Sequence, residues 1–255
     1  MGGQFLYNYG MIFDIRDDFM ITTVLFDLDG TLLPMDQEVF LNAYMSGLAA
    51  KMAPYGYDPK LLIKSLWKGT AAMVANDGSK RNDTAFWEVF CASMGRNALE
   101  DEAVFLEFYQ NEFQNVAKSC GFDTRAAETV AEVRKLGKRV VLATNPLFPA
   151  MATHSRVKWA GLDPNDFEYI TTYENSYHSK PNPDYFREIL DKLNLKPEEC
   201  LMVGNDVKED MVPLGLGMQV FLLTDCIINK ENADISRYPH GSFPELLAFV
   251  RSLCV

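Results

Sequence analysis

Short apolar runs and segments of helical periodicity alternate along the chain from residue 124 to its end. Strands are predicted at 139–143, 169–172, 201–203 and 220–223. Helices are predicted at 183–193, 207–214 and 243–253. Because each strand is separated from the next by a helix, the strands are expected to run parallel, with helices covering both faces of the sheet. The sequence therefore predicts a three-layer α/β core.

One further strand is predicted near the N-terminus, and two acidic residues follow it directly. The apolar run 24–26 ends at Asp27, and Asp29 comes two residues later. Open α/β sheets place their chemistry at the carboxyl ends of the strands. Two carboxylates this close repel each other unless a cation or a shared proton relieves the repulsion. The pair therefore indicates a divalent metal site or a proton-transfer role.

Between residues 36 and 122 the periodicity is helical throughout, and no strand is predicted. The apolar stripe that contains Phe40, Tyr44 and Leu48 is the first of several, and turn-rich segments separate them. This part of the chain is expected to be an inserted helical domain or a helical layer.

Composition excludes several classes of function. The 255 residues carry a formal net charge of -11 and have no basic run, so we expect neither a nucleic-acid nor a membrane partner. Five scattered cysteines without a CxxC pair are typical of reduced thiols in a cytoplasm. Residues 1–19 lack the pattern of a signal peptide, so we expect a cytoplasmic protein. The oligomeric state has no signature in the sequence.

Polar residues follow the other predicted strands as well. They are Thr144, Asn145, Lys180, Asp206 and Asp210. Parallel strands bring such ends together at one edge of the sheet. The carboxylates of Asp27, Asp206 and Asp210 are the oxygen ligands that Mg²⁺ prefers. Lys180 and Thr144 are suited to phosphate oxygens, so the set predicts an anion site built around a metal.

These residues form four motifs along the chain: Asp27-x-Asp29, Thr144-Asn145, Lys180-Pro181, and Gly204-Asn205-Asp206 followed by Asp210. In this order, they resemble the motifs of the haloacid dehalogenase superfamily, whose first motif is an apolar run followed by Asp-x-Asp-x-Thr. The resemblance spans about residues 22–224. It implies a Rossmann-like core at 20–35 and 123–255, an α-helical cap of the first type at 36–122, and an N-terminal leader at 1–19. One departure is that Asn205 separates Gly204 from Asp206, where many members have an aspartate directly after the glycine.

The resemblance also implies a role for each motif residue. Asp27 is expected to attack phosphorus and form an aspartyl-phosphate, while Asp29 protonates the leaving oxygen and later accepts a proton from water. The implied metal ligands are Asp27, Asp29 through its backbone carbonyl, Asp206 and Asp210. The implied phosphate-binding residues are Leu28, Asp29, Thr144, Asn145 and Lys180, of which Thr144 and Lys180 are also expected to be catalytic.

The implied activity is that of a Mg²⁺-dependent phosphatase acting on a small phosphorylated metabolite. Members that cleave carbon–halogen bonds lack the second acid, so Asp29 favours phosphoryl transfer. A phosphomutase remains open, as does a phosphonatase, which would need a cap lysine such as Lys51, Lys64 or Lys68. A protein that binds a phosphorylated ligand without catalysis is the alternative from another class.

Two predictions concern the surface that selects the substrate. Lys80 and Arg81 lie in a predicted loop of the helical segment and are the residues expected there to contact an anion, although a solvated position is the simpler interpretation. Trp67 and Trp87 are expected to pack between helices.

Overall fold

A six-stranded parallel sheet forms the centre of the molecule. The computed structural model describes residues 20–253, so the predicted leader at 1–19 lies outside the described residues. The strands are β1 (Thr23–Phe26), β2 (Arg139–Leu142), β3 (Tyr169–Ile170), β4 (Cys200–Gly204), β5 (Gln219–Leu223) and β6 (His240–Gly241). Their order is β3-β2-β1-β4-β5-β6, and every neighbouring pair is parallel. The predicted α/β fold with a parallel sheet is confirmed.

Eight α-helices accompany the sheet within the described part of the chain. Those between β1 and β2 are α1 (Gln37–Met52), α2 (Pro59–Val74), α3 (Asn82–Met94) and α4 (Glu102–Gln110). Those that follow are α5 (Thr124–Lys135), α6 (Ala150–Trp159), α7 (Pro183–Leu193) and α8 (Phe243–Ser252). No helix in residues 20–253 is long and apolar enough to cross a membrane.

Alternating side chains of the strands pack against helices on opposite faces of the sheet. In β1, Val24 and Phe26 join a buried cluster that includes residues of α5 and α8. Leu25, which lies between them, joins a second cluster with Tyr185 and Phe186 of α7. Both faces of the sheet are therefore buried under helices, which explains why the strand sequences are continuous apolar runs. The three-layer, Rossmann-like arrangement is confirmed.

The helical segment between β1 and β2 has a hydrophobic cluster of its own. Leu48, Phe90 and Phe108 are fully buried in it. The two connections to the sheet run side by side, because Met35 pairs with Cys120 in an antiparallel bridge. The segment thus leaves and re-enters the sheet at one place.

The helix predicted at 207–214 is wrong. The Asp206 carboxylate accepts the backbone N–H groups of Lys208 and Glu209, at 2.8 and 3.1 Å, and the Asp210 N–H donates to the Asp206 carbonyl at 2.8 Å, so Asp206 caps a single helical turn. Residues 207–210 form this turn, and a 3-10 helix follows at Val212–Leu216. Pro213 has no N–H to continue the α-helical hydrogen bonds, so the α-helix does not extend further.

Candidate active site

The cavity that holds the motif residues lies at the carboxyl edge of the sheet, where β1 is flanked by β2 and β4. After β2 the chain continues to β3 on one side of β1, and after β4 it continues to β5 on the other side. Where the strand order reverses in this way, a crevice opens at the carboxyl ends of the strands. The cavity has a volume of about 260 Å³. The predicted site residues that line it are Asp27, Asp29, Thr144, Asn145, Asp206 and Asp210.

Lys180 joins the two most buried acids of the site. Its ammonium Nζ lies 2.8 Å from Asp27 Oδ1 and 2.7 Å from Asp210 Oδ1. Burial lowers the pKa of Lys180, but the carboxylates of Asp210 and Asp27 raise it well above its usual value. Lys180 therefore stays charged and holds Asp27 in a fixed orientation.

The second oxygen of Asp27 is held by the turn that follows β1. Thr31 Oγ1 lies 3.1 Å from Asp27 Oδ2 and 3.0 Å from Asn205 Oδ1. The same turn needs a glycine, because Gly30 has a φ of +86° and a Cβ there would lie 2.3 Å from Asn205 Nδ2. Asn205 thus packs against the loop that carries Asp27. In the sequence, this residue was visible only as the insertion between Gly204 and Asp206.

Asp210 lies beneath the loop after β4. Its Oδ2 accepts the backbone N–H of Asp206 at 2.9 Å, while its other oxygen faces Lys180. A Cβ at Gly204 would lie 2.2 Å from Asp210 Oδ2, so only glycine leaves room for this carboxylate. Burial raises the pKa of Asp210 to about 6. The Asp210 side chain therefore braces both Lys180 and the loop of Asp206.

Asp29 is paired with an arginine that the sequence analysis did not identify. Arg156, on α6, is fully buried and forms an ion pair with Asp29 Oδ2. Its guanidinium also lies over the ring of Phe148, 4.3 Å from the centroid. Burial raises the pKa of the Asp29 carboxyl, the Arg156 charge opposes this, and the neighbouring Asp27 charge adds to the rise.

Glu209 is a second residue that the sequence analysis missed. It lines the cavity, and Asn145 Nδ2 donates to its Oε2 at 3.0 Å. Burial raises the pKa of Glu209 to about 7. Asn145 also accepts the Lys180 backbone N–H through Oδ1 at 3.2 Å, so it links the loops after β2 and β3.

The remaining predicted residues fix the backbone around the site. The Thr144 carbonyl accepts the hydroxyls of Thr171 and Tyr185, at 2.7 and 2.8 Å. Leu28 is fully buried, and its carbonyl accepts the Leu33 N–H at 2.8 Å. These hydrogen bonds fix the backbone that follows β1 and β2 at the edge of the cavity.

The donor set is compatible with a hard divalent cation. Asp27 and Asp206 offer carboxylate oxygens at the cavity, and the buried Oδ1 of Asp29 has no hydrogen-bond partner among the described residues. Within residues 20–253, no three acidic, histidine or cysteine side chains converge closely enough to hold an ion by themselves. Mg²⁺ is usually bound through one or two carboxylates and several waters, so the oxygen-rich site fits it.

Helices α1–α4 supply the opposite wall of the cavity. Trp67 and Trp87, predicted to pack between helices, both line it. Lys80 and Arg81 do not, because they form exposed ion pairs with Glu88 and Asp83. The surface that faces the motif residues is therefore aromatic.

Comparison with known proteins identifies relatives of the whole motif-bearing region. The family model described as haloacid dehalogenase-like hydrolase matches residues 21–214. The pyrophosphatase PpaX of Bacillus cereus (strain ATCC 10987 / NRS 248) is 26% identical over 186 residues, which are 73% of this chain and 75% of that protein.

Solved structures show the same fold. A HAD phosphatase from Thermococcus onnurineus aligns with a TM-score of 0.56 at 18% identity, over 90% of this chain and 98% of the other. The putative HAD-hydrolase YfnB from Bacillus subtilis, bound to magnesium, aligns with a TM-score of 0.51 at 15% identity, over 91% and 99%.

Proposed function

Because the chain belongs to the haloacid dehalogenase-like hydrolases, we propose that it is a Mg²⁺-dependent phosphatase that hydrolyses a small phosphate monoester through an aspartyl-phosphate. The observation that carries this proposal is the Asp27 carboxylate, held between Lys180 and Thr31 at the cavity, with Asp29 two residues away. A fixed carboxylate beside a second, partly buried acid is suited to nucleophilic catalysis with proton transfer.

In the first half-reaction, an oxygen of Asp27 attacks phosphorus and the bond from phosphorus to the ester oxygen breaks. The alcohol leaves with the proton of Asp29. The raised pKa of the Asp29 carboxyl supports this role, because an acid must hold its proton near neutral pH to donate it. Arg156 orients the Asp29 carboxyl by pairing with Oδ2.

In the second half-reaction, a water molecule attacks the phosphorus of the aspartyl-phosphate. Asp29, now a carboxylate, accepts the proton of that water. The bond between phosphorus and the Asp27 oxygen breaks, which releases inorganic phosphate and restores the Asp27 carboxylate. The cycle thus returns both acids to their starting protonation states.

Charge on the phosphoryl oxygens needs cationic and N–H partners. Lys180, Thr144, Asn145 and the backbone N–H groups of Leu28 and Asp29 are the proposed phosphate-binding groups. Asp27, the Asp29 carbonyl and Asp206 would hold Mg²⁺, with Asp210 supporting them through the Asp206 N–H. When bound, Mg²⁺ supplies positive charge that offsets the phosphoryl oxygens and the crowded acids.

We propose the division into a core of 20–35 and 123–255 and a cap of 36–122. The separate hydrophobic cluster of the helical segment and its side-by-side connections support it. Such a cap can exclude water from the cavity while the reaction proceeds. The phosphonatase alternative has less support, since no lysine is among the described residues that line the cavity.

The test is phosphate release from phenyl phosphate with and without Mg²⁺. Asp27→Asn should lower kcat by at least about a thousandfold, because the amide is a poor nucleophile. EDTA should abolish turnover, and added Mg²⁺ should restore it. Asp191→Asn, an exposed change on α7, is the matched control and should retain wild-type kcat.

Circular dichroism should show that Asp27→Asn keeps the fold. Turnover that survives both Asp27→Asn and EDTA contradicts the proposed mechanism. A wild-type protein that binds beryllium fluoride but hydrolyses no member of a broad phosphate-ester panel would instead be a phospholigand-binding protein. Transfer of phosphate between positions of a sugar, without release, would identify a phosphomutase.

A further inference from the structure

The cavity has two chemically different walls. The wall formed by the sheet edge is acidic, since Asp27, Asp29, Asp206, Glu209 and Asp210 all line it. The opposite wall is apolar: nine aromatic residues line the cavity, seven of them from α1–α4 and two from the loops after β2 and β3. An ester whose phosphorus lies at Asp27 would place its leaving group in the same cavity, which the aromatic wall lines.

No cationic side chain lines this cavity among residues 20–253. Lys180, the cation proposed to bind the transferred phosphate, is already paired with Asp27 and Asp210, and Arg156 is covered by Asp29 and Phe148. In the helical segment, Lys51 pairs with glutamates and likewise lies outside the cavity wall. A second anionic group on a substrate would therefore find no cationic side chain to pair with.

The polar side chains that α1–α4 contribute to the lining, tryptophans aside, are Gln37, Tyr44, Thr70, Glu102 and Tyr109, and none of them is a cation. The hydroxyls of Tyr44 and Tyr109 lie 2.8 Å apart and satisfy each other. Glu102 is the one charged residue that α1–α4 contribute to the lining, and its charge repels an anion. Burying an unpaired anion against such a wall is costly, whereas burying an apolar group there is favourable.

We propose that the substrate is a phosphate monoester of an uncharged alcohol that carries a ring-containing apolar group. This inference rests on the proposed phosphatase function and extends it by naming the leaving group. It separates the protein from the relative named pyrophosphatase, because pyrophosphate would place a second phosphate against a wall without a cation. Aromatic faces stack well with flat rings, which favours a ring over a branched chain.

The first test compares four compounds at saturating Mg²⁺: benzyl phosphate, ethyl phosphate, phosphoglycolate and pyrophosphate. The first three are esters of primary alcohols, so the bond that breaks is of the same kind. We expect kcat/KM for benzyl phosphate to exceed that for ethyl phosphate by about a hundredfold, and phosphoglycolate and pyrophosphate to rank below ethyl phosphate.

The outcomes separate this inference from the function on which it rests. A kcat/KM for phosphoglycolate or pyrophosphate that equals or exceeds the value for benzyl phosphate overturns the inference alone and leaves the phosphatase intact. Equal values for benzyl and ethyl phosphate overturn it as well. Phosphate release from none of the four compounds removes the proposed function, and the inference with it.

A second test places a cation in the cavity. Trp67 lines the cavity and is 48% exposed, so Trp67→Arg should fold. Val74 lies on the same helix, is 43% exposed and does not line the cavity, so Val74→Arg is the matched control. Trp67→Arg should raise the ratio of phosphoglycolate to benzyl phosphate turnover at least tenfold, and Val74→Arg should leave the ratio unchanged.

An equal shift of the ratio in both variants would mean that overall charge, rather than the cavity wall, selects the substrate. No shift in either variant would mean that the leaving group does not contact this wall. Both results contradict the inference. Circular dichroism of the two arginine variants checks that each is folded.

Discussion

The ion pair between Arg156 and Asp29 opposes the rise in the pKa of the proposed proton donor that burial causes. Burial raises the pKa of Asp29 and the Arg156 charge lowers it, so Arg156→Met should raise it further. The donor must be protonated, and kcat falls at alkaline pH as Asp29 ionises. In Arg156→Met this alkaline limb should move to higher pH, by on the order of one unit.

The measurement is the pH profile of kcat for phenyl phosphate in wild type and Arg156→Met. Arg139→Met is the control, because Arg139 forms its ion pair with Glu168 away from the cavity. An alkaline limb that stays in place, or that moves to lower pH, would contradict the expectation that the Arg156 charge lowers the pKa of the donor. A lower kcat with an unmoved limb would indicate a packing role only.

Glu209 makes a separate, testable contribution to stability. Burial raises its pKa to about 7 from the ordinary value of 4.5, so the folded state holds a proton that the unfolded state has released. The free energy of unfolding therefore falls as pH rises from about 4.5 through about 7. Glu209→Gln removes this loss and keeps an oxygen for Asn145.

Urea unfolding in EDTA at pH 5 and pH 8 measures the effect. Between these pH values, wild type should lose on the order of 2 kcal/mol more than Glu209→Gln. Glu198→Gln, in the partly exposed 3-10 helix that precedes β4, is the control and should behave like wild type. An identical pH dependence in wild type and Glu209→Gln is the result that contradicts the prediction.

At the residue scale, the sequence could predict the side chains that belong to short motifs after the strands. Asp27 follows β1 directly, and Lys180 belongs to a Lys-Pro motif in the loop between β3 and α7. Arg156 could not be predicted, because an arginine on a helix is ordinarily solvated. Its burial depends on the ring of Phe148 and on Asp29, which lies 127 residues away in the chain.

At the scale of elements, the apolar runs predicted β1, β2, β4 and β5 to within about a residue. The strand β6 has two residues, His240 and Gly241, which is too short for a periodicity. The segment 207–214 has helical spacing and Asp206 caps one turn of it, but Pro213 lacks the N–H that a continuing α-helix needs, and a 3-10 helix follows. Apolar periodicity does not register the loss of a single backbone donor.

The connection between α2 and α3 is docked on the loop that carries Lys180. Asn82, fully buried at the start of α3, donates through Nδ2 to the His178 carbonyl and to Ser179 Oγ, both at 3.1 Å. Its Oδ1 accepts Asn76 Nδ2 at 2.9 Å. Asn82 therefore joins the helical segment to the sheet edge.

Asn82→Ala should lower the free energy of unfolding by about 2 kcal/mol, because it leaves buried polar partners unsatisfied. It should also raise KM, since the aromatic wall is less firmly held over the cavity. Urea unfolding and steady-state kinetics measure the two effects. Thr84→Ala, an exposed change on α3, is the control, and equal stability of the two variants would contradict the docking role.

For the whole molecule, the class of reaction was easier to predict than the substrate. The reaction depends on motif residues at strand ends, whose meeting follows from a parallel sheet. The substrate depends on which helix faces point at the cavity, and this is set by how α1–α4 pack together. Trp67 and Trp87 consequently line the cavity despite their helical spacing, while Lys80 and Arg81 pair with acids outside it.

The net charge of -11 should act on the proposed Mg²⁺ site through the field of the whole molecule. A divalent cation responds twice as strongly to this potential as a monovalent one. The Debye length falls from about 30 Å at 0.01 M salt to about 8 Å at 0.15 M, so added KCl screens the distant acids. Mg²⁺ affinity should therefore fall by on the order of tenfold over this range.

Isothermal titration of Mg²⁺ into the substrate-free protein at the two KCl concentrations measures this loss. Sucrose at matched osmolality is the control and should leave the affinity unchanged, because it does not screen charge. Asp27 and Asp206 lie too close to the bound ion to be screened, so the salt effect reports the remaining acids of the chain. An affinity that is the same at both KCl concentrations would mean that the local carboxylates alone determine Mg²⁺ binding.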